Sequence, residues 1–363
     1  MTTVAIIGAG IGGVYLVAEF GLAGHRLHLH DLDDTRLAEI RTHGGVEVEP
    51  GGLAAVECAT TDLATAVDGA EAIIIVTGGN AQETVARSLA PLLRGGQIIL
   101  LIQGNTGGSL VVRRALTDAG CRADVDVAEM DNYPFSNWRL SPTRIRPIVK
   151  KRWLQIASFP GYRIVPVISR VAPLFPHAVA APSVIHTGFT NANAMLHVAN
   201  CVGNAGKIDR SEVYKFYAEG VTPSVARLYQ AINAERVAVA AALGADVPTL
   251  EDWFELAYGV RGWDLVETCQ LLTTNSDGPY QATGTPKSFE HKYITEDVPV
   301  GLIPMSELGA AAGVPTPAID ALITLVRAMT GKDFSHEART LERMGLAGTN
   351  ASQIMRIVET GSV

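Results

Sequence analysis

The chain is short of cysteine: four in 363 residues, at 58, 121, 201 and 269, with no CxxC pair among them. That excludes a disulfide-stapled secreted scaffold and fits a reduced, cytoplasmic protein. It is also short of positive charge. Lys and Arg number 29 against 37 Asp and Glu, a net −8, so no general attraction to nucleic acid or to an anionic membrane is expected. Long apolar runs are missing as well. The most apolar stretch, 164–184, is broken by Arg170 and four prolines, and no run approaches the roughly 18 residues of a spanning helix. No basic segment precedes the first apolar run after Met1, so no secretory signal peptide is expected. No repeat of about 20 to 50 residues is visible, which sets aside solenoids and propellers. Charged residues make up 18% of the chain and hydrophobic ones 47%, the reverse of a disordered composition. What remains is a globular protein of two domains, at about 150 residues each, able to bury its cores without disulfide or metal.

Glycine, by contrast, is plentiful: 36 residues, clustered in pairs and triplets that read as tight turns. Between them the first 130 residues alternate strand and helix patterns. Strands are expected at 4–7, 27–30, 46–48, 55–58, 73–77, 97–103 and 125–129, and helices at 14–22, 37–42, 82–93 and 110–119. The run at 73–77 is continuous and β-branched, as in a strand buried on both faces. This alternation means βαβ units and a doubly wound parallel sheet. From about residue 190 helical periodicity takes over, at 193–202, 210–218, 223–243, 250–258, 264–272, 305–312, 318–329, 339–343 and 351–359. The expected fold is an α/β N-terminal Rossmann domain over 1–182 and an all-α C-terminal domain over 183–363, parted in the proline-rich stretch from Pro173 to Pro182.

The strand at 4–7 runs into Gly8-Ala9-Gly10-Ile11-Gly12-Gly13 and then a helix, the context in which GxGxxG binds a dinucleotide. Gly8 permits the turn, Gly10 lets the backbone approach a pyrophosphate, and Gly13 lets helix and strand pack closely. The pyrophosphate then meets the unpaired N–H groups of the helix start. Asp31 ends the second strand, 18 residues after Gly13, where a carboxylate accepts from the ribose hydroxyls and opposes a 2′-phosphate. NAD(H) is therefore expected, with NADP(H) the lesser alternative through Arg36. A turn or capping role for Asp31, ahead of Asp33 and Asp34, stays open. The turns Thr77-Gly78-Gly79 and Gln103-Gly104-Asn105-Thr106-Gly107-Gly108 follow strands, at the ligand crevice of such a sheet. Thr77, Gly78 and Asn105 are candidates for cofactor contact there, with plain turn chemistry as the alternative. His28 and His30 form an HxH on one strand face with no third ligand near. No metal is expected, and both read as strand residues near the sheet surface.

Among nine histidines, His197 stands out for proton work, which suits an imidazole titrating near neutral pH. It follows Asn193 by one helical turn, on the same face. On a mostly apolar helix such a histidine is more often structural, and the residues alone leave both readings open. The polar cluster at 290–297 holds Asp297, either a turn residue before Val298-Pro299 or a carboxylate that orients His197.

Several stretches carry a resemblance. They are the GxGxxG turn, Gly104-Asn105-Thr106-Gly107-Gly108, the Asn-rich segment ending in His197, and Lys292-Tyr-Ile-Thr-Glu-Asp297-Val-Pro299-Val-Gly-Leu302. Leu308-Gly-Ala-Ala-Ala-Gly-Val-Pro-Thr-Pro317 joins them, as does Gly331-Lys-Asp-Phe followed by Arg339-Thr-Leu-Glu-Arg-Met-Gly-Leu346. Along nearly its whole length the chain resembles the opine dehydrogenase family, the octopine and nopaline dehydrogenase relatives. The resemblance implies NAD(H)-dependent reductive condensation of an amino acid, or a related amine, with a 2-oxo acid, through an imine, to an N-(carboxyalkyl) amino acid. It implies a cleft between a Rossmann domain and a helical domain of the 6-phosphogluconate dehydrogenase kind. His197 would be proton donor and acceptor, and Asp297 its partner. Lys292 stands where the family usually has Arg to hold a substrate carboxylate; it keeps the charge and lacks the bidentate fork. Gln103 and Asn193 are further candidates for holding carboxylates. Val198 follows His197 where the family often has Pro, and 129–135 follows the family pattern loosely. The two substrates are the expected small-molecule partners, and a homodimer is left open. Two other activities stay open: a 2-hydroxy acid or alcohol dehydrogenase of the same architecture, and a non-catalytic NAD-binding sensor. Loops at 131–138 and 273–285 are expected to shape the substrate pocket.

Overall fold

The structure, a computed structural model, describes residues 1–275, 278–281 and 283–362. In chain order its strands are β1 (Thr3–Ile7), β2 (Arg26–His30), β3 (Gly45–Val48), β4 (Gly52–Ala55), β5 (Cys58–Thr60) and β6 (Ala72–Ile75). They continue with β7 (Ile98–Leu101), β8 (Asp126–Met130), β9 (Phe135–Ser141), β10 (Arg144–Lys150), β11 (Leu154–Phe159) and β12 (Ala178–Ala180). Eight of them make the main sheet, in the order β12-β11-β8-β7-β6-β1-β2-β5, and four make a second sheet, β4-β3-β10-β9. The main sheet is doubly wound. It is parallel except where β11 runs against β8.

The β-branched runs form the middle of this sheet because helices cover both faces. Val14, Leu16, Val17 and Phe20 of the helix Ile11–Leu22 pack with Ile6, Ile74 and Leu100 on one side. Leu89, Ala115 and Leu116, from the helices Gln82–Leu89 and Gly108–Asp118, pack with Ile73, Ile75 and Ile99 on the other. After β12 the chain is helical. The helix Pro223–Ala242 starts where Thr222 caps the Val225 N–H and Pro223 takes the first turn. It runs through a core of Tyr229, Ile232, Trp253, Phe254 and Leu308. That core also takes in Leu110, Val111, Ala157 and Phe159 from the sheet half. The two halves therefore share buried apolar surface, and the crevice at the carboxyl edge of the sheet lies against the helical half.

Four strands, β9 to β12, were not expected, since the reading of strands ended at 129. In β9 and β10 the alternation is hidden by charge and by Pro147: Arg144 pairs with Glu47, Arg146 with Glu49 and Lys150 with Glu19, so cations sit where a half-buried strand would be neutral. β12 is three residues long at a sheet edge, too short for periodicity to register. The strand expected at 55–58 is the seam between two, β4 ending at Ala55 and β5 starting at Cys58 in different sheets. The segments 210–218 and 339–343 are turns rather than helices. Ser211 takes φ +53 and breaks the first, and its apolar residues Phe216 and Tyr217 are buried as a loop. His28 and His30 lie inside rather than near the surface, at 9% and 6% exposed, with the His28 Nδ1 2.9 Å from the Ala66 carbonyl.

The tightest approach in the sheet half is between the helix start and β1. A Cβ on Gly13 would stand 1.8 Å from the Gly8 carbonyl oxygen. Gly13→Ala is expected to cost about 3 kcal/mol or more of stability, read as a lowered urea midpoint with the slope unchanged.

Candidate active site

Cofactor crevice and substrate cavity are separate hollows along one edge. At the first, Gly8 has φ +116, a conformation closed to L side chains. A Cβ on Gly10 would meet nothing within 4 Å. The helix Ile11–Leu22 has no side-chain cap at its start, so its first N–H groups face that open space unpaired. An anion such as a pyrophosphate fits there. At the end of β2, Asp31 accepts from the Ala9 N–H at 2.7 Å and the Asp33 N–H at 2.9 Å, while Arg36 stands 3.4 Å from its carboxylate. A cavity of about 460 Å³ is bordered by Gly8, Gly10, Asp31, Arg36, Thr77 and Gly78. These residues fit a dinucleotide.

The other expected cofactor residues lie off this cavity. Ala9 is buried and gives its N–H to Asp31. The Ile11 side chain is exposed. Gly12 packs on Val76 and Tyr133, and Gly13 on Gly8. Asn105 is the clearest departure. It is buried with φ +55, and its Oδ1 accepts from Gln103 Nε2 at 2.9 Å and Asn191 Nδ2 at 3.3 Å. Its turn folds inward against the helical half, so the side chain braces the turn instead of facing the crevice.

The second cavity, about 270 Å³, is bordered by all five residues expected for catalysis and substrate: His197, Asp297, Lys292, Gln103 and Asn193. His197 sits one turn into the helix Asn193–Gly203. Its Nδ1 is 2.7 Å from Asp297 Oδ2, and both side chains are largely buried. The Tyr293 ring stacks on the imidazole at 3.8 Å between centroids and 18°. The ring can therefore neither tilt nor turn away, and Nε2 is left for the cavity. Lys292, Tyr293 and Asp297 come from one short segment, the single-turn helix Lys292–Thr295 running into the π-helical turn Val298–Leu302. Asn193 Nδ2 donates to Gln103 Oε1 at 3.0 Å, so these two amides spend part of their bonding on each other across the halves.

Several bordering residues escaped the sequence reading. Lys151 is buried, its ammonium donating to the Tyr133 carbonyl at 2.6 Å and lying 5.4 Å from the Tyr258 ring centre. Tyr217, Tyr258 and Tyr280 form an aromatic wall, the first and last stacked at 4.2 Å. Glu296 also borders the cavity. The polar cluster at 290–297 pointed to Glu296, and the loops at 131–138 and 273–285 pointed to Asn132, Tyr133 and Tyr280. Within the second loop, residues 276, 277 and 282 lie outside the described residues. For Lys151, directly after a hairpin with no legible alternation, there was no signal.

Arg339 was missed too, and it holds the two hollows together. Its guanidinium is fully buried and donates to the carbonyls of Gly104 (2.6 Å), Thr106 (3.2 Å) and Gly79 (2.9 Å) and to Gln82 Oε1 (2.7 Å). Burial pulls its pKa down to about 10, so it stays charged at neutral pH. Among the described residues no group of three or more His, Cys, Asp or Glu could hold a metal, and no helix is long and apolar enough to cross a membrane.

Residues 180–330 match the family described as NAD/NADP octopine/nopaline dehydrogenase, alpha-helical domain, and residues 4–120 match ketopantoate reductase PanE/ApbA. An opine dehydrogenase from Arthrobacter sp. (strain 1C) is 33% identical over 360 residues, covering 98% of this chain and 99% of that one. The chain belongs to the opine dehydrogenase family. It is thereby among oxidoreductases acting on CH–NH donors. Octopine dehydrogenase solved with NADH and L-arginine superposes with a TM-score of 0.80 at 21% identity, covering 100% of this chain and 99% of that one. The same enzyme with NADH and pyruvate gives 0.77 at 21%, with the same coverage. In this member of the family, as in those folds, a Rossmann sheet is followed by a helical half.

Two outcomes follow from the crevice and its surroundings. Gly10→Ala, whose methyl meets no protein atom within 4 Å, is expected to leave the urea midpoint unchanged while weakening NADH binding about tenfold or more, as the methyl fills the space an anion needs. Fluorescence titration of NADH checks this. Asp131, at the end of the sheet, is pushed up to about 7 by burial, from an ordinary value of 3.8. The folded chain thus keeps a proton that the unfolded chain releases between those values. Stability falls as pH rises through that window, by at most about 1.4 kcal/mol per pH unit from this group. Burial shifts Glu129 and Glu296 in the same direction. Asp131→Asn should flatten the fall in urea unfolding free energy between about pH 4.5 and 7; an unchanged slope would assign it elsewhere.

Proposed function

We propose that this chain condenses an amino acid, or a related amine, with a 2-oxo acid and reduces the resulting imine to an N-(carboxyalkyl) amino acid, with NADH as the cofactor. The observation that carries this reading is the charge pattern of one cavity. Two ammonium groups, Lys151 and Lys292, stand around an imidazole backed by a carboxylate, next to the cofactor crevice. A substrate pair bringing two carboxylates needs two cations, whereas a single 2-oxo acid needs one.

Bound along Gly8, Gly10 and Asp31, NADH supplies the hydride. The chain's own residues do the rest. A carboxylate only accepts, so Asp297 keeps the proton on His197 Nδ1 and leaves Nε2 to pass protons to the carbonyl oxygen that departs as water. Lys292 and Lys151 each hold a carboxylate, and Asn193 and Gln103 orient the 2-oxo acid with their remaining amide hydrogens. Tyr217, Tyr280 and Tyr293 keep bulk water from the imine. In this reading residues 1–182 bind the cofactor and residues 183–363 bring His197, Asp297 and Lys292 to it. A cytoplasmic setting, where the four free thiols stay as thiols, goes with it.

The test is NADH oxidation with a panel of 2-oxo acids, with and without amino acids. Turnover that requires the amine is expected; equal turnover without it would favour a 2-hydroxy acid dehydrogenase. His197→Ala should lower kcat about 100-fold or more, with the Kd for NADH held within about threefold, and unchanged kcat would remove the imidazole from the reaction.

A further inference from the structure

The cavity holds one carboxylate that the mechanism above leaves idle. Glu296 borders it next to Asp297, yet its carboxylate plays a different part. Asp297 is committed to His197. Glu296 Oε1 accepts the Gly79 N–H at 2.9 Å, and a Cβ on Gly78 would stand 3.3 Å from Oε2. The carboxylate therefore sits where the cofactor turn meets the substrate cavity. Among the described residues nothing donates to Oε2, and no Lys, Arg or His forms an ion pair with Glu296. A largely buried carboxylate in no ion pair is costly; burial and Asp297 raise its pKa above the ordinary range against the opposing pull of the Gly79 N–H, Lys292 and Arg339. A cationic ligand would relieve both.

We infer that Glu296 receives the substrate's amine, so that the cavity offers two cations and one anion to a molecule carrying two carboxylates and one amine. This rests on the opine-forming reading. The arrangement is complementary group by group: Lys151 and Lys292 to the carboxylates, Glu296 to the nitrogen, His197 to the oxygen that leaves. It also gives the cavity a means of telling an amino acid from the corresponding acid without nitrogen. A buried acceptor left unpaired disfavours the analogue that lacks the donor. The anchoring of Glu296 on Gly79 ties this amine site to the turn that borders the cofactor crevice.

The test uses Glu296→Gln. Glutamine keeps an acceptor for the Gly79 N–H and puts a neutral amide NH2, a donor, in place of the charged Oε2. With pyruvate and the amino acid that gives the fastest wild-type turnover, the KM for the amino acid should rise about tenfold or more. The KM for pyruvate and the Kd for NADH should each stay within about twofold. An unchanged amino acid KM, or equal losses in all three, would overturn the assignment. A second measurement needs no variant. Calorimetric titration into the wild-type NADH complex should show that amino acid binding at least about tenfold tighter than the carboxylic acid of the same skeleton; equal affinity overturns the assignment. If wild-type turnover needs no amine, the opine-forming reading has failed and takes this one with it. If turnover needs the amine and the variant behaves as wild type, only the role of Glu296 has failed.

Discussion

The guanidinium of Arg339 is the contact on which the rest of the site depends. Turns at the carboxyl edge of a parallel sheet end in carbonyls that no strand can pair. Here Gly79, Gly104 and Thr106 present three of them to one another at the border between the halves, and one buried cation takes all three together with Gln82. The Arg339 N–H adds a bond to the Pro299 carbonyl, in the π-helical turn directly after Asp297. A single residue thus fixes the turn bordering the cofactor crevice, the turn carrying Gln103 and Asn105, and the turn following the carboxylate behind His197. Lysine could keep the charge but has no planar fork to reach carbonyls in three directions.

Below that clamp lies Glu129, fully buried, accepting from the Ser109 N–H and the Thr187 hydroxyl, both at 2.7 Å. Ser109 follows the second glycine turn, and Thr187 begins the helical half. The clamp and the buried carboxyl group of Glu129 hold both sides of the border in register without lining either hollow. Position, burial and charge therefore divide the labour. Arg339 and Glu129 set the frame behind the hollows, while Lys151, Lys292, His197 and Asp297 border the cavity.

Much of this was legible in the residues. The glycine turn, Asp31 and the β-branched strands announce themselves because their physics is local: a positive φ, an open helix start, an apolar run. His197 and Asp297 were legible through resemblance, since a hundred positions separate them and no periodicity predicts that they meet. Lys151, Arg339 and, of the tyrosine wall, Tyr217 and Tyr258 were not legible. Lys151 sits after a hairpin whose charges pair with Glu19, Glu47 and Glu49, so its own burial looks like one more surface cation. Arg339 lies in a turn, where apolar spacing suggested a helix. Asn105 lies off the crevice for the converse reason. Its turn had the right glycines, but which way a turn folds is decided by what packs behind it, here Asn191 from the other half.

The segment from Lys292 to Asp297 places a cation, a stacking ring, an anion and an orienting carboxylate on six consecutive residues. Each occupies its place because a helical turn advances about 100° per residue. Substitution at one of these positions changes one contact. Insertion or deletion of a single residue between Tyr293 and Glu296 turns Lys292 and Tyr293 about 100° against Glu296 and Asp297, so that both pairs cannot keep their places. The segment is tolerant in composition and rigid in length, and a change in which substrates are accepted can come from exchange at single positions but not from any change in spacing.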